Sequence, residues 1–385
     1  MPALPQIDSY ADELTTIRRD FHAHPEIGFE ETRTSQIVAD RLASWGIEVH
    51  RNVGRTGVVG ILRGKDGSRR IGLRADMDAL PIEEATNLSY RSTKPGVFHG
   101  CGHDGHTTML LGAARYLAET RNFAGTAIFV FQPAEEGLGG ARAMLADKLF
   151  ERFPCDEIYA LHNSPEMKLG QIAVFPGPVM AGADFFDITI RGKGSHGANP
   201  QASRDPVVVA GALIGALQTI VSRNANPLDA AVLSITQVHS GSAYNVIPEE
   251  ATLAGTVRAF SRDAAALVAS RIREIAAGIG ATFGVEISVE IRSVFDVLEN
   301  HPAQSNAAAE AAREIVGAEN VSTAPNPTMY SEDFADMLRV TPGAYCWVGH
   351  GGPAPLHNPA FTMDDRLLPI GASLLARIIE TRLSR

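Results

Sequence analysis

Five short apolar runs, Val58–Arg63, Ile71–Ala75, Thr126–Phe131, Glu157–Leu161 and Ala344–Val348, are set among segments of helical periodicity. Runs of this length bounded by turn residues read as strands. Strands that alternate with helices favour a largely parallel α/β sheet. An N-terminal helix is expected around Tyr10–Leu14 and Ile17–Phe21, and a second over Thr32–Trp45, stopped by Gly46. A third, from about Asp104 to Thr120, falls between two of the strands.

From about Asp184 to Arg292 the rhythm changes. Strand patterns at Phe185–Arg191, Ala230–Val238, Ala251–Phe260 and Val285–Ile291 enclose helical patterns at Asp205–Val221 and Asp263–Ile279. That order is β-α-β-β-α-β, the ferredoxin-like pattern. A chain of 385 residues is too long for one ordinary core. The simplest architecture is an α/β domain made of residues 1–183 and 293–385, with an α+β domain of residues 184–292 inserted into it.

Composition narrows the partners. The net charge is −10, against the basic face that a phosphate binder usually shows, so nucleic acid is not expected. No window approaches the roughly 18 consecutive apolar residues of a membrane span. The opening MPALPQIDSYADEL lacks a basic stretch followed by an apolar run, so no signal peptide is expected. Cys101, Cys155 and Cys346 are too few, and odd in number, for a disulfide framework. A reducing cytoplasm is the simplest setting.

In open α/β sheets, ligands bind beyond the carboxyl ends of the strands. Asp76 and Asp78 follow Ile71–Ala75, and Glu135 and Glu136 follow Thr126–Phe131 after Gln-Pro-Ala. His162 follows Glu157–Leu161, and a glycine-rich turn after Ala344–Val348 leads to His357. The cluster His99-Gly-Cys101-Gly-His103-Asp104-Gly-His106 stands before the long helix. Imidazole, thiolate and carboxylate together suit zinc, and less comfortably manganese or cobalt. Five candidates (Cys101, His103, Glu136, His162, His357) exceed what one tetrahedral ion with an open position needs. Two ions about 3.5–4 Å apart would use them and share one water. The adjacent glutamates allow a division of labour: one binds metal, the other moves a proton. A competing reading makes Cys101 a nucleophile with a histidine base, but it leaves Glu135 and Glu136 without a role. His22, His24, His50, His239, His301 and His350 read as structural, with His24, before Pro25, placed to shape the site's edge. Cys155 and Cys346 read as small buried hydrophobes.

Four motifs, Arg-Ala-Asp76-Met-Asp78-Ala-Leu-Pro, His-Gly-Cys101-Gly-His103-Asp104-Gly-His, Phe-Gln-Pro-Ala-Glu135-Glu136-Gly and Gly-Ser-His196-Gly-Ala, carry a family resemblance. They resemble the hippurate hydrolase branch of the aminoacylase/carboxypeptidase-like metallopeptidases, to which plant indole-acetyl-amino-acid hydrolases belong. The resemblance runs from Arg18-Arg-Asp-Phe-His-Ala-His-Pro-Glu to Leu-His357-Asn-Pro. It implies a zinc-peptidase-like catalytic domain with an inserted lid and dimerisation domain, and hydrolysis of the amide bond of small N-acyl amino acids. The same site in a dipeptidase or carboxypeptidase is the alternative. The resemblance also implies that Cys101, His103, Glu136, His162 and His357 hold two divalent ions and that Glu135 is the general base. Asp78 would hold a ligand in place from behind. His196 would reach the active site of a partner subunit in a homodimer or homotetramer, and Asn245 and Arg258 would grip the substrate carboxylate. One departure stands out: the classical carboxypeptidase-like relatives carry His-x-Asp where this chain has Asp76-x-Asp78, which leaves Asp76 open as a ligand, with the cysteine compensating in this branch.

Overall fold

The computed structural model describes residues 3–384. An eight-stranded mixed sheet runs in the spatial order Glu48–Val53, Gly57–Arg63, Ala124–Gln132, Lys65–Asp76, Glu157–Ser164, Gly343–Gly349, Ile172–Ala173, Val321–Ser322. Its four central strands are mutually parallel, and the first two join antiparallel. Ala127 to Phe131 are buried without a break. A parallel strand covered on both faces needs such a continuous apolar run, because neither face meets water. The helix His103–Thr120 packs against Ala11–Ala23 and Leu367–Arg382. Leu110, Leu111, Leu368, Leu374 and Ile378 are buried in the same core as the sheet residues Leu73 and Phe129.

The elements differ from the expected ones mainly at their ends. The second parallel strand begins at Lys65, six residues before Ile71, through an irregularity between Lys65 and Arg70. The Glu157–Ser164 strand continues past Leu161, pairing His162 with Trp347 and Ser164 with Gly349. His162 is therefore an in-strand side chain rather than a residue of the following loop. Leu367–Arg382 is buried almost throughout, so it lacks the amphipathic contrast that marks a surface helix.

The chain divides into two compact units, Met1–Val179 with Glu299–Asn326 and Asp333–Arg385, and Met180–Leu298 with Pro327–Glu332. The second holds a four-stranded antiparallel sheet in the order Ala231–Ser240, Glu250–Ala259, Gly182–Arg191, Glu286–Phe295. With the helices Pro206–Thr219 and Arg262–Phe283 this is the ferredoxin-like arrangement. Asp205 caps the first helix, its carboxylate accepting the Val207 N–H at 2.9 Å, and Ser261 caps the second through the Ala264 N–H at 3.1 Å. Phe186, Ile188 and Ile190 point inward on alternate positions, to meet Leu213, Leu217 and Ile272. The segment Pro206–Asn224 is long and apolar enough to cross a membrane by length and composition alone. Here its residues Val209, Leu213, Leu217 and Ile220 line the core of this unit.

Candidate metal centre

The donors come from a helix start, a turn after one strand, a position within another strand and a loop after a third, all in the first unit. Cys101 immediately precedes the helix that begins at His103. Gly102 between them has φ 94°, and a Cβ there would lie 2.3 Å from Asn163 Nδ2, so the turn requires glycine. The Ala124–Gln132 strand leads through Pro133 and Ala134 to the two glutamates. His357 lies in the loop after the Gly343–Gly349 strand, and its N–H donates to the Gly100 carbonyl at 2.8 Å.

These side chains converge. Donor atoms of Cys101, His103 and His162 lie within 4.8 Å of one another, and so do those of Cys101, Glu136 and His357. Glu135 joins Glu136 and His103 in a third such group. Cys101 Sγ is 3.4 Å from His162 Nε2, and His357 Nε2 is 3.3 Å from Glu136 Oε1. His103 Nε2 and Glu136 Oε1 are buried and have no hydrogen-bond partner. Native proteins rarely leave such atoms unsatisfied. A cation is what would satisfy both a lone imidazole nitrogen and a carboxylate oxygen, so the residues present fit a metal.

The surroundings fix which atoms point inward. His103 Nδ1 donates to the Asp78 carbonyl at 3.0 Å, and His162 Nδ1 donates to the Asn163 carbonyl at 2.7 Å, which leaves each Nε2 as the donor atom. Asp78 Oδ2 accepts the Glu136 N–H at 3.0 Å, so Asp78 steadies two neighbouring donors at once. Asp76 is engaged differently: Oδ1 accepts from His106 Nδ1 at 2.6 Å and Oδ2 from Arg74 at 2.7 Å. Asp76 Oδ2 lies 3.9 Å from His103 Nε2.

The electrostatics agree with a pocket that concentrates negative charge. Burial disfavours a charged His103, yet Asp76 and the Cys101 sulfur raise its pKa well above the imidazole range. The Cys101 sulfur and the Glu136 carboxylate beside His357 push its pKa up to about 10. Burial raises the Cys101 thiol, with Glu136 adding to the effect. Burial, with His106 nearby, holds His162 well below the imidazole range. The negative charge that raises both imidazoles would also attract a divalent cation.

Sequence reasoning passed over several supporting residues. Asn163 donates to the Cys101 carbonyl at 2.6 Å and to His106 Nε2 at 3.0 Å. Asp333 accepts from Gln132 at 2.6 Å and from Arg74 at 3.3 Å, and its N–H lies 3.4 Å from Glu135 Oε1. His106 stands within the cysteine–histidine cluster and Arg74 within the Arg-Ala-Asp76 motif; Asn163 and Asp333 carry no local signal.

The remaining candidates belong to the second unit. His196 sits on a two-residue strand paired with Val246–Ile247, and the Gly197 N–H donates to the Asn245 carbonyl at 2.7 Å. His196 and Asn245 are thus neighbours on one exposed ribbon. Arg258 lies on the four-stranded sheet instead, between Ala183 and Val232. Its guanidinium donates to Thr256 Oγ1 and to the Val257 carbonyl, and lies over Phe185 at 5.8 Å. Burial lowers its pKa, against the pull of Asp184.

A parallel sheet whose carboxyl ends gather imidazole, thiolate and carboxylate donors defines a candidate two-ion centre. Residues 72–381 match the sequence pattern of Peptidase family M20/M25/M40, and the chain belongs to that family. It is 42% identical to the hippurate hydrolase of Campylobacter jejuni over 378 residues, 98% of each chain. It is 38% identical to an N-acetylcysteine deacetylase of Bacillus subtilis, over 96% of this chain and 97% of that one. Among solved structures, the Bacillus subtilis YXEP protein, described as a dinuclear metal binding peptidase from the M20 family, superposes with a TM-score of 0.85 at 35% identity, covering 98% of this chain and 99% of that chain.

Proposed function

We propose that this chain is a metal-dependent amidohydrolase that cleaves the amide bond of N-acyl amino acids, releasing a carboxylic acid and a free amino acid. The observation that carries the reading is the double membership of Cys101. It groups with His103 and His162 on one side and with Glu136 and His357 on the other, while Glu135 stands beside Glu136. One thiolate shared between two sets of donors supports a pair of ions, zinc, manganese or cobalt, held by these five residues. The hippurate hydrolase and N-acetylcysteine deacetylase relatives support the substrate class.

When bound, the ions would acidify a water and polarise the amide carbonyl. The residues do the rest. Glu135 accepts the proton of the attacking water and returns it to the leaving nitrogen. The Asp333 N–H, 3.4 Å from Glu135 Oε1, limits the swing of that carboxylate. His196 Nδ1 accepts the Ala198 N–H at 3.1 Å, which places the proton on Nε2 as a donor for the developing oxyanion. One such donor is worth about 3–4 kcal/mol in the transition state. Asn245 and Arg258 take the substrate carboxylate, for which a guanidinium offers a paired, charge-assisted grip. The working form is a homodimer or homotetramer in which His196 serves the partner subunit. Three free cysteines, Cys101, Cys155 and Cys346, fit a reducing, cytoplasmic setting.

The test is hydrolysis of benzoyl-glycine, acetyl-methionine, indole-acetyl-alanine and one unblocked dipeptide, before chelation, after it, and after adding back zinc, manganese or cobalt. Metal-dependent release of amino acid from the capped substrates is expected. Activity confined to the dipeptide would move the assignment to a peptidase. Activity indifferent to verified metal removal would return Cys101 to the role of nucleophile.

A further inference from the structure

We propose that Glu31 is a positioning residue for this reaction: through the Ala134 N–H, its carboxylate holds the turn that aims Glu135 and Glu136. The inference rests on the metal-hydrolase reading above. Glu31 is fully buried. Its Oε1 accepts the Ala134 N–H at 2.8 Å, and its Oε2 accepts from Thr56 Oγ1. A buried carboxylate is costly, and a fold that needed only to fill this space would favour an apolar side chain.

What Glu31 holds is an unusual backbone. Ala134 has φ 54°, in the left-handed region that residues with a Cβ seldom enter. Such a conformation persists only when its surroundings enforce it, and it tends to occur at working sites. Ala134 is the residue directly before the proposed base and ligand. It is gripped again at Gly28, where a Cβ would come 2.8 Å from the Ala134 Cα. Its own carbonyl accepts the Gly140 N–H at 2.9 Å.

Residues 26–31 also reach the other supporting turn. The Glu26 carbonyl accepts the Ala79 N–H at 2.8 Å, next to Asp78, and Ile27 bridges to Ala79. The segment is itself fastened, because the Glu26 carboxylate accepts the Thr34 N–H at 2.8 Å and the Arg33 N–H at 3.1 Å at the start of the Thr32–Ser44 helix. One anchored stretch of the His-Pro-Glu segment therefore grips the turns carrying Asp78, Glu135 and Glu136. Without the Glu31 bond, Ala134 would relax toward an ordinary conformation and rotate both glutamates.

The experiment compares Glu31→Leu, Glu31→Gln and the double variant Glu31→Leu/Ala134→Gly in the full-length chain. Cobalt affinity is read by absorbance titration, and kcat and KM by the hydrolysis assay. Glu31→Leu should weaken cobalt binding about tenfold and lower kcat about ten- to a hundredfold in the folded, metal-loaded protein. KM should change less than about threefold, since the substrate's own contacts are untouched. Glu31→Gln keeps an acceptor for the Ala134 N–H and should retain most of both properties. Glycine adopts a positive φ without strain, so the double variant should recover part of the loss. A folded Glu31→Leu protein with wild-type cobalt affinity and kcat would overturn the proposal, as would a double variant with no recovery. If the leucine variant does not fold, Glu31→Asp withdraws the acceptor while keeping the charge; an unchanged cobalt affinity there is equally fatal. If the wild-type chain hydrolyses none of the substrates, the functional reading fails, and the cobalt titrations still decide the role of Glu31.

Discussion

At the carboxyl ends of the eight-stranded sheet, His103 Nε2 and Glu136 Oε1 are buried without a hydrogen-bond partner. At its amino end, the Glu157 carboxylate is also buried but accepts from Arg69 at 2.9 Å, Tyr159 at 2.8 Å, Gln304 at 3.3 Å and Arg382 at 2.8 Å. Both ends face the problem of charge out of water. The amino end solves it with protein groups and gains a clasp between the last helix and the sheet. The carboxyl end leaves donor atoms open, which makes sense only if something else completes them. A buried carboxylate with every lone pair taken supports structure; one with an orphan oxygen beside an orphan imidazole marks a site.

The largest test of this contrast is Glu135→Gln. The amide keeps the size of the side chain but cannot take a proton, so kcat should fall about a thousandfold. Metal content and the urea midpoint should stay at wild-type values, because Glu135 is not one of the five proposed ligands. Near-normal turnover in a verified metal-loaded variant would remove Glu135 as the base.

A somewhat smaller loss, about a hundred- to a thousandfold in kcat, is expected for His196→Ala. His196 is exposed and belongs to the second unit, so neither metal content nor stability should move. The informative step is mixing: subunits carrying His196→Ala exchanged with subunits carrying Glu135→Gln. If His196 serves the partner, each mixed dimer has one intact composite site and activity returns. No recovery after verified exchange would mean that the carboxyl-end site is completed within one chain.

The contrast between the two ends also explains what could be read from the sequence. Cys101, His103, Glu136, His162 and His357 are legible because metal chemistry restricts residue type and the sheet restricts position. The structure brings all five together in overlapping groups. The ferredoxin-like order is likewise legible, since its strand and helical patterns follow one another in the order β-α-β-β-α-β. Partners that act over long separations were not. Arg74 meets Asp333 across 259 residues of chain, and Glu31 meets Ala134 across 103. Nothing local names the distant partner of either residue. The apolar run ends at Leu161 and so puts His162 beyond the expected strand, whereas the pairing with Trp347 and Val348 carries the strand onward.

The smallest expected effect, and the one that separates the two ends most cleanly, is at Glu157. Burial alone would raise its pKa; hydrogen bonds from Arg382 and Tyr159 and the charges of Arg382 and Arg69 outweigh it and lower the pKa from 4.5 to about 2. A carboxylate depressed by folding contributes stability that is fully present above its unfolded pKa and is lost as the pH falls through the folded one. The window here therefore runs from about pH 4.5 down to about pH 2. Arg69 is 45% exposed, so solvent screens part of the interaction, and about 2 kcal/mol is a fair measure of it. Glu157→Gln should lower the unfolding free energy at pH 7, read from urea denaturation, by that amount, and the gap from wild type should close as the pH falls through the window. Its kcat at pH 7 should be unchanged while its stability falls, the reverse of Glu135→Gln, and its metal content should stay at the wild-type value. A Glu157 variant that lost turnover without losing stability would mean that the two ends of the sheet are coupled and that charge at the amino end takes part in the chemistry.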